Sequence, residues 1–185
     1  MYNIGPSKNY SLYYTFLSHS SFGSEVLSKR TGILLNNEMT DFKVNYMKYN
    51  YPANQTNLIN PGKRPMSSMC PTIITDSSGN VRLVIGGAGG MKITTATALV
   101  IIRNLWFGED IKAAIDAQRV HHQLSPDHIV FEDKFPENIL KGLTQKGHKI
   151  TPLKGRGAVI MGIASNKKKL FANSDYRKGG DVDGF

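Results

Sequence analysis

Two carboxylates stand three residues apart in the sequence, at Glu38 and Asp41, after an apolar segment at 32–35. If the chain turns between them, both side chains can approach one positively charged group, such as an ammonium ion. A solvated loop explains the same pair equally well, because carboxylates are common on protein surfaces. The pair becomes informative only together with other groups that would bind the same molecule.

Two adjacent serines, Ser67 and Ser68, lie in a loop that Pro65 and Pro71 stiffen. No histidine or aspartate stands beside the serines, and the G-x-S-x-G pattern of a serine nucleophile is absent. Hydroxyl and backbone N–H groups near the basic residues at 63 and 64 are suited to binding a carboxylate. The serine pair is therefore interpreted as a carboxylate clamp rather than as a nucleophile.

A glycine-rich run, Gly86–Gly90, separates a predicted strand from a predicted helix. Phosphate-binding loops occupy such positions, but Lys92 follows Met91 rather than glycine, so the P-loop pattern is not met, and neither is G-x-G-x-x-G. Backbone N–H groups at the start of a helix can also stabilise an oxyanion. Close packing of the strand on the helix, which requires small residues, explains the run equally well.

Together, the three stretches can recognise one small zwitterion. The carboxylates would bind its ammonium group and the serines its carboxylate. The amides of the glycine run would stabilise the charge that develops on a reacting carbonyl.

Charge and composition narrow the classes of function. The 185 residues include 23 basic and 14 acidic ones, for a net charge of +9, and 40% are hydrophobic, which suits one globular domain. The basic residues are dispersed, apart from a run at 167–169 in a predicted turn, so nucleic-acid binding is not favoured. The longest apolar stretch, Ala96–Ile102, is too short to span a bilayer, and the first residues do not match a signal peptide.

Cysteine and histidine usage argues against a disulfide, a metal or a cofactor. Cys70 is the single cysteine, so no intrachain disulfide can form, and its apolar neighbours indicate a buried small side chain rather than a nucleophile. His121 and His122 are adjacent, and adjacent side chains on a helix or strand diverge rather than meet at one metal ion. We therefore predict neither a metal nor a cofactor.

Hydrophobic periodicity and turn residues predict an α+β fold with a largely antiparallel sheet. The strongest signal is a hairpin, in which β-branched runs flank the turn residues 76–80. A largely buried helix follows the glycine run, an amphipathic helix begins at Asp110, and a third helix ends at Gly147. The predicted strands are 32–35, 72–75, 81–85, 128–131, 159–164 and 170–172, and the predicted helices are 93–106, 110–117 and 136–146.

From Phe22 to its C-terminus the sequence resembles the small subunit of the γ-glutamyltransferases, also called glutathione hydrolases. The resemblance lies in Phe22-Gly-Ser and in five further motifs, which occur in the family's order and with few gaps. These motifs are TGILLNNEMTDF at 31–42, PGKRPMSSMCPT at 61–72, GGAGG at 86–90, ITTAT at 93–97 and SDYRKGG at 174–180.

The resemblance implies an N-terminal-nucleophile hydrolase with a layered αββα fold, of which this chain would form the small-subunit half. In this family a precursor cleaves itself into two subunits, and the new N-terminal threonine of the small subunit attacks the γ-glutamyl amide with its own α-amine as base. The implied substrate is a γ-glutamyl compound such as glutathione, and the implied partner is the large subunit. The full family enzyme lies at the extracellular face of the plasma membrane.

The resemblance also assigns roles to the three stretches. The acidic pair would hold the α-ammonium group of the donor, the serine pair would hold its α-carboxylate, and two glycine amides would form the oxyanion hole. The residues concerned are Glu38 and Asp41 for the ammonium, Ser67 and Ser68 for the carboxylate, and Gly89 and Gly90 for the oxyanion.

The region before Phe22 departs from the family pattern. The family's small subunit begins with threonine, followed by threonine or serine and then histidine, and residues 1–21 contain no such motif. Leu17 and His19 replace a threonine and an asparagine that lie close to the nucleophile in the family, and Thr15 lies too early. We therefore predict a divergent lead at 1–21, a small-subunit-like domain at 22–185, and no activity for this chain alone.

Two interpretations of different class remain at this point. In the first, the chain is the small subunit of a γ-glutamyltransferase whose nucleophile segment has been lost from this product. In the second, it is a nucleophile-less, light-chain-like protein that binds a ligand or assembles with partners without turnover. A basic binding module unrelated to catalysis is a third and weaker candidate.

Overall fold

Two sheets and three α-helices form the body of the described part of the chain. The computed structural model describes residues 23–42, 55–166 and 169–184. The elements are β1 (Thr72–Thr75), β2 (Val81–Ala88), α1 (Ile93–Leu105), α2 (Ile111–Asp116), β3 (Val120–His121), β4 (Ile129–Phe131), α3 (Glu137–Gln145), β5 (Ile150–Pro152), β6 (Val159–Asn166) and β7 (Lys169–Asn173). One sheet is antiparallel with the order β1-β2-β6-β7, and the other has the order β3-β4-β5. The predicted α+β class is confirmed.

Strands β1 and β2 form the hairpin that the turn residues predicted. Asp76 holds the turn, because its Oδ1 accepts the backbone N–H groups of Ser78 and Asn80, each at 2.9 Å. Strand β2 then pairs with β6 as far as Ala88, which lies opposite Val159. The strand therefore continues through the first glycines instead of ending before them, since glycine retains the backbone groups that a ladder needs.

Helices α1 and α2 cover one face of the four-stranded sheet and enclose the core. Alternate residues of β2 point towards the helices, as the two-residue period of a strand requires. Asp110 caps α2 by accepting the N–H of Ala113 at 2.7 Å, which fits the helix start predicted there. The core residues are Leu83, Ile85, Ala96, Val100, Ile111, Ala114, Ile115, Ala158 and Ile160.

The opposite face of the same sheet carries exposed apolar side chains. Ile73 on β1, Val84 on β2 and Ile163 on β6 lie side by side, because directly paired residues of neighbouring strands share a face. Ile73 is 68% exposed and Ile163 is 41% exposed. Contiguous apolar surface of this kind is typical of a site that binds another chain.

Strands β3 and β5 were not predicted from the sequence. They contain two and three residues, which is too short for an alternating pattern to be recognised. Strand β4 pairs antiparallel with β3 and parallel with β5, and α3 forms the crossover between the parallel strands. The fold therefore contains a parallel pair in addition to the antiparallel hairpins.

The predicted strand at 32–35 is wrong. A single bridge pairs Leu34 with Leu27, while Ile33 and Leu35 are largely exposed. Backbone hydrogen bonds do join residues 33–35 to residues 24–28, but within the described part of the chain they form one isolated bridge and not a ladder. The apolar run therefore marks exposed surface and not a sheet.

Several predictions lie outside the described residues. They concern the lead at 1–21 with Thr15, Leu17 and His19, the start of the family motif at Phe22, and Lys167. Scattered Asn, Tyr and Pro residues also predict a long surface loop at 43–60, of which residues 43–54 lie outside the described residues. In the part of the chain that is described, no helix combines the length and the apolar character needed to cross a bilayer.

Candidate functional site

Glu38 and Asp41 lie at the two ends of one 3-10 turn, Glu38–Asp41, so the chain does turn between the two carboxylates. Asp41 is half-buried, and its Oδ2 atom is closed off from solvent without a hydrogen-bond partner among the described residues. Burial, and then the negative charge of Glu38, raises the pKa of Asp41 to about 6. A carboxylate in this state lacks a positive partner, and an ammonium group would supply one.

The serines lie in an irregular loop, residues 61–71, that leads into β1. Ser67 is exposed and its hydroxyl accepts the N–H of Met69 at 3.2 Å, while Ser68 is half-buried. Among the described residues, neither hydroxyl is hydrogen-bonded to a histidine or an acid that would activate it as a nucleophile. Cys70, in the same loop, is half-buried rather than fully buried. This geometry supports the clamp interpretation of the serine pair.

Asn57 joins the acidic turn to the serine loop. Its Nδ2 donates to the backbone carbonyl of Asp41 at 2.7 Å, and its Oδ1 accepts the backbone N–H of Met66 at 2.9 Å. Since Met66 directly precedes Ser67, the structure brings two of the three predicted stretches together. Nothing in the sequence singles out Asn57, because an asparagine within a predicted surface loop carries no local signal of a long-range contact.

The glycine run contains glycines that are needed for two different reasons. A Cβ on Gly87 would lie 2.5 Å from the carbonyl oxygen of Val159, and a Cβ on Gly89 would lie 2.7 Å from the Cα of Ala158. Gly90 faces open space, but its φ of +60° is left-handed. Close packing therefore explains Gly87, the backbone conformation explains Gly90, and both apply to Gly89, whose φ is +138°.

The amides of Gly89 and Gly90 lie where the chain leaves β2 for α1. The hydrogen bonds described at this turn use the glycine carbonyls, since the N–H of Lys92 donates to Gly89 O at 3.4 Å and the N–H of Ile93 donates to Gly90 O. Among the described residues, these two bonds do not occupy the N–H groups of Gly89 and Gly90. Within the described residues, no hydrogen bond connects this turn with the acidic turn or the serine loop.

The two neighbouring histidines diverge, as their adjacency predicted. His121 is buried, with Nδ1 2.7 Å from Thr95 Oγ1 and Nε2 2.7 Å from Gln123 Oε1. His122 points instead towards Asp127, at 3.4 Å. Burial lowers the pKa of His121 below its ordinary value. In the described segments no three His, Cys, Asp or Glu side chains are grouped so that they could hold a metal ion.

A buried ionic network lies behind the glycine turn, and no pattern in the sequence predicts it. Asp175 is fully buried and accepts from Arg119 Nη2 at 2.9 Å and from the N–H of Ile160 at 2.8 Å. Arg119 Nη1 donates to the carbonyl of Ala158, whose Cα lies against Gly89. The C-terminal motif at 174–180 therefore supports the strand on which the glycine turn packs.

Comparison with known proteins gives one matching family and relatives of decreasing sequence identity. The sequence profile of the family Gamma-glutamyltranspeptidase matches residues 14–185. Scoloptoxin SSD20 from Scolopendra dehaani is 47% identical over 167 residues, which cover 89% of this chain and 85% of that protein. Scoloptoxin SSD14 from the same organism is 47% identical over 88% of this chain but only 29% of that protein. Glutathione hydrolase proenzyme of Arthroderma benhamiae is 37% identical over 83% of this chain and 26% of that protein.

Solved structures give the same result for the fold. Gamma-glutamyltranspeptidase from Pseudomonas nitroreducens, complexed with L-DON, has a TM-score of 0.74 and 36% sequence identity, over 89% of this chain and 87% of that chain. The T380A mutant of the Helicobacter pylori gamma-glutamyltranspeptidase has a TM-score of 0.75 and 32% identity, over 90% of this chain and 91% of that chain. The transpeptidase CapD of Bacillus anthracis, at 18% identity and a TM-score of 0.65, shows the fold alone.

Proposed function

The chain belongs to the gamma-glutamyltranspeptidase family, and on this premise we propose that it forms the small-subunit part of a γ-glutamyltransferase, or glutathione hydrolase. Residues 22–185 would form this domain, after a divergent lead at 1–21. The domain would bind the glutamyl end of a donor such as glutathione, whose γ-glutamyl group passes to water or to an acceptor amino acid or peptide. Because the chain belongs to this family, a basic binding module unrelated to catalysis is no longer a candidate. The matches also do not favour a light-chain-like protein that only binds or assembles.

The observation that carries this proposal is the buried Oδ2 of Asp41, which has no hydrogen-bond partner among the described residues, on a turn that Asn57 joins to the serine loop. A glutamyl donor has its ammonium and carboxylate groups on one carbon. It therefore needs a site that binds an ammonium group close to a site that binds a carboxylate. Glu38 and Asp41 would take the ammonium group. Ser67 and Ser68 would take the carboxylate through their hydroxyl and N–H groups.

The glycine turn would stabilise the reacting carbonyl. When a nucleophile attacks the γ-carbonyl carbon, negative charge develops on the carbonyl oxygen, and the N–H groups of Gly89 and Gly90 would donate to it. Preorganised donors of this kind lower the barrier by about 3 kcal/mol each. The contact between Gly89 and Ala158 supports this role, because it holds the turn in place before the substrate arrives.

The nucleophile would come from a threonine that residues 1–21 do not contain in the family arrangement. The serine pair does not replace it, because neither serine has a base among the described residues. We therefore propose that the polypeptide of residues 1–185 does not turn over substrate by itself. A threonine segment joined in frame before the Phe22 region would complete the site, and the transcript sequence tests this directly.

The proposed partner is the family's large subunit. The exposed apolar face of the four-stranded sheet, with Ile73 and Ile163, supports such a partner, since burying this face would remove apolar surface from water. A location at the extracellular face of the plasma membrane, as for the full family enzyme, belongs to the same proposal.

The test compares two proteins in one assay. The first is the purified chain, and the second is a chimera with residues 22–185 behind a family-type N-terminal segment, co-expressed with a matching large subunit. We expect no release of aniline from a γ-glutamyl anilide by the chain and sustained release by the chimera. Turnover by the chain alone that is lost on Glu38→Gln or Ser67→Ala would contradict the proposed inactivity. An assembled chimera without any release would contradict the proposed function.

A further inference from the structure

Asn57 is the residue whose contacts point beyond the roles assigned so far. Its side-chain amide donates to Asp41 O and accepts from Met66 N–H at the same time. This orientation of the amide is the one that satisfies both partners, because a carbonyl can only accept and a backbone N–H can only donate. An aspartate, a leucine or an alanine at this position could not make both bonds.

The surroundings of Asn57 form one unit with the beginning of the serine loop. Asn57 ends the 3-10 turn Gln55–Asn57 and is half-buried. Lys63 Nζ donates to the carbonyl of Thr56, and the backbone N–H of Lys63 donates to Asn60 O at 3.1 Å. The amide of Asn57 therefore projects from a turn that is itself held in place.

Among the residues that the structure describes, no helix or sheet ladder joins the acidic turn to the serine loop. Within the described residues, the hydrogen bonds that connect residues 38–41 with residues 61–71 run through Asn57. Both bonds go to backbone atoms, one on Asp41 itself and one directly before Ser67. Without the amide, the acidic turn and the serine loop would each keep their own structure, but the distance between them would no longer be fixed.

We propose that Asn57 is a positioning residue that sets the spacing between the carboxylates for the donor's ammonium group and the serines for its carboxylate. This inference rests on the proposed function of the two stretches. The ammonium and carboxylate groups share one carbon, so a donor that carries both tolerates little change in that spacing. A change in that spacing would cost the donor one of its two charged contacts, which weakens donor binding and leaves the reaction of the bound donor nearly unchanged.

The test uses the assembled chimera and three anilide donors. The γ-glutamyl anilide carries both α-groups, glutaryl anilide lacks the α-amine, and 4-aminobutyryl anilide lacks the α-carboxylate. Asn57→Ala should raise KM for the γ-glutamyl donor by about 10- to 100-fold and change kcat by less than about threefold. The other two donors each use one half of the site, so their kcat/KM should change less than about twofold.

Two further variants keep the result interpretable. Asn60→Ala is the matched control, because Asn60 is exposed and its side chain makes no hydrogen bond in the described part of the chain, and it should behave as the unmodified chimera. Asn57→Asp retains the shape and the bond to Met66 but loses the donor to Asp41, so it should reproduce the donor-dependent loss of Asn57→Ala. Equal losses for all three donors, or no loss for any donor, would overturn the proposal. So would failure of both Asn57 variants to assemble while Asn60→Ala assembles.

Asp41→Asn separates this inference from the proposed function. If Asp41→Asn does not weaken the preference for donors that carry the α-amine, the proposed function fails. If it does weaken that preference while Asn57→Ala affects all donors alike, the function stands and the positioning role of Asn57 is wrong.

Discussion

Replacing Asp41 with asparagine removes one negative charge and leaves the shape of the side chain nearly unchanged. In the free chain this carboxylate lies beside Glu38 with a buried Oδ2 that has no described partner, and its pKa is raised to about 6. A bound ammonium group would reverse this balance, because an opposite charge favours the ionised carboxylate. The charge of Asp41 should therefore contribute mainly when a donor occupies the site.

The loss of kcat/KM depends on which group of the donor is left without a partner. In the assembled chimera, Asp41→Asn should cost about 2–5 kcal/mol in kcat/KM for a γ-glutamyl anilide, roughly 30- to 5,000-fold, because a partly dehydrated ammonium group loses its charged partner. Ser67→Ala should cost less, about 1–2 kcal/mol or roughly 5- to 30-fold. Ser67 is exposed, and Ser68 remains to bind the carboxylate.

The assay measures kcat/KM for the γ-glutamyl anilide and for glutaryl anilide, which lacks the α-amine. Asp41→Asn should leave the glutaryl donor nearly unaffected, since that donor has no ammonium group to lose. Ser67→Ala should weaken both donors, because both carry the carboxylate. If Asp41→Asn is as mild as Ser67→Ala, or weakens the glutaryl donor equally, the acidic turn is only a solvated loop and the reasoning is refuted.

Three further predictions concern stability and are measured by urea unfolding of the purified chain. Folding raises the pKa of Asp41 from 3.8 to about 6, so the folded chain binds this proton more tightly than the unfolded chain. The free energy of unfolding should therefore fall as the pH rises from about 4 to about 6. Asp41→Asn should remove that contribution. Gly89→Ala should destabilise by about 2–4 kcal/mol, because its Cβ would meet a backbone atom at 2.7 Å and its φ is +138°. Gly90→Ala should cost only about 1 kcal/mol, because its left-handed φ is the one obstacle in open space. Equal costs would contradict the packing difference. Asp175→Asn should lower the free energy of unfolding by about 3–5 kcal/mol, because Arg119 stays buried without its charged partner. A change under about 1 kcal/mol would show that the fold does not depend on this ion pair.

Local signals in the sequence predicted the elements that depend on local chemistry. The hairpin turn at Asp76 and the cap at Asp110 each form hydrogen bonds within a few residues, so their residue types alone were sufficient. The strand predicted at 32–35 failed, and the short strands β3 and β5 were missed. A strand requires a ladder of pairs with a second segment, and short apolar runs do not reveal whether such a ladder forms.

The sequence by itself determined the chemistry available to the site: the carboxylates at 38 and 41, the adjacent serines, the glycine run and, through the ordered motifs, the resemblance to a family. Only the tertiary structure decided how these groups are arranged. It placed Asp41 beside the serine loop through Asn57, and it paired Arg119 with Asp175 behind the glycine turn. Such contacts join segments that are distant in the chain, and they depend on how the backbone packs in three dimensions, so they leave no periodic pattern for a sequence to show.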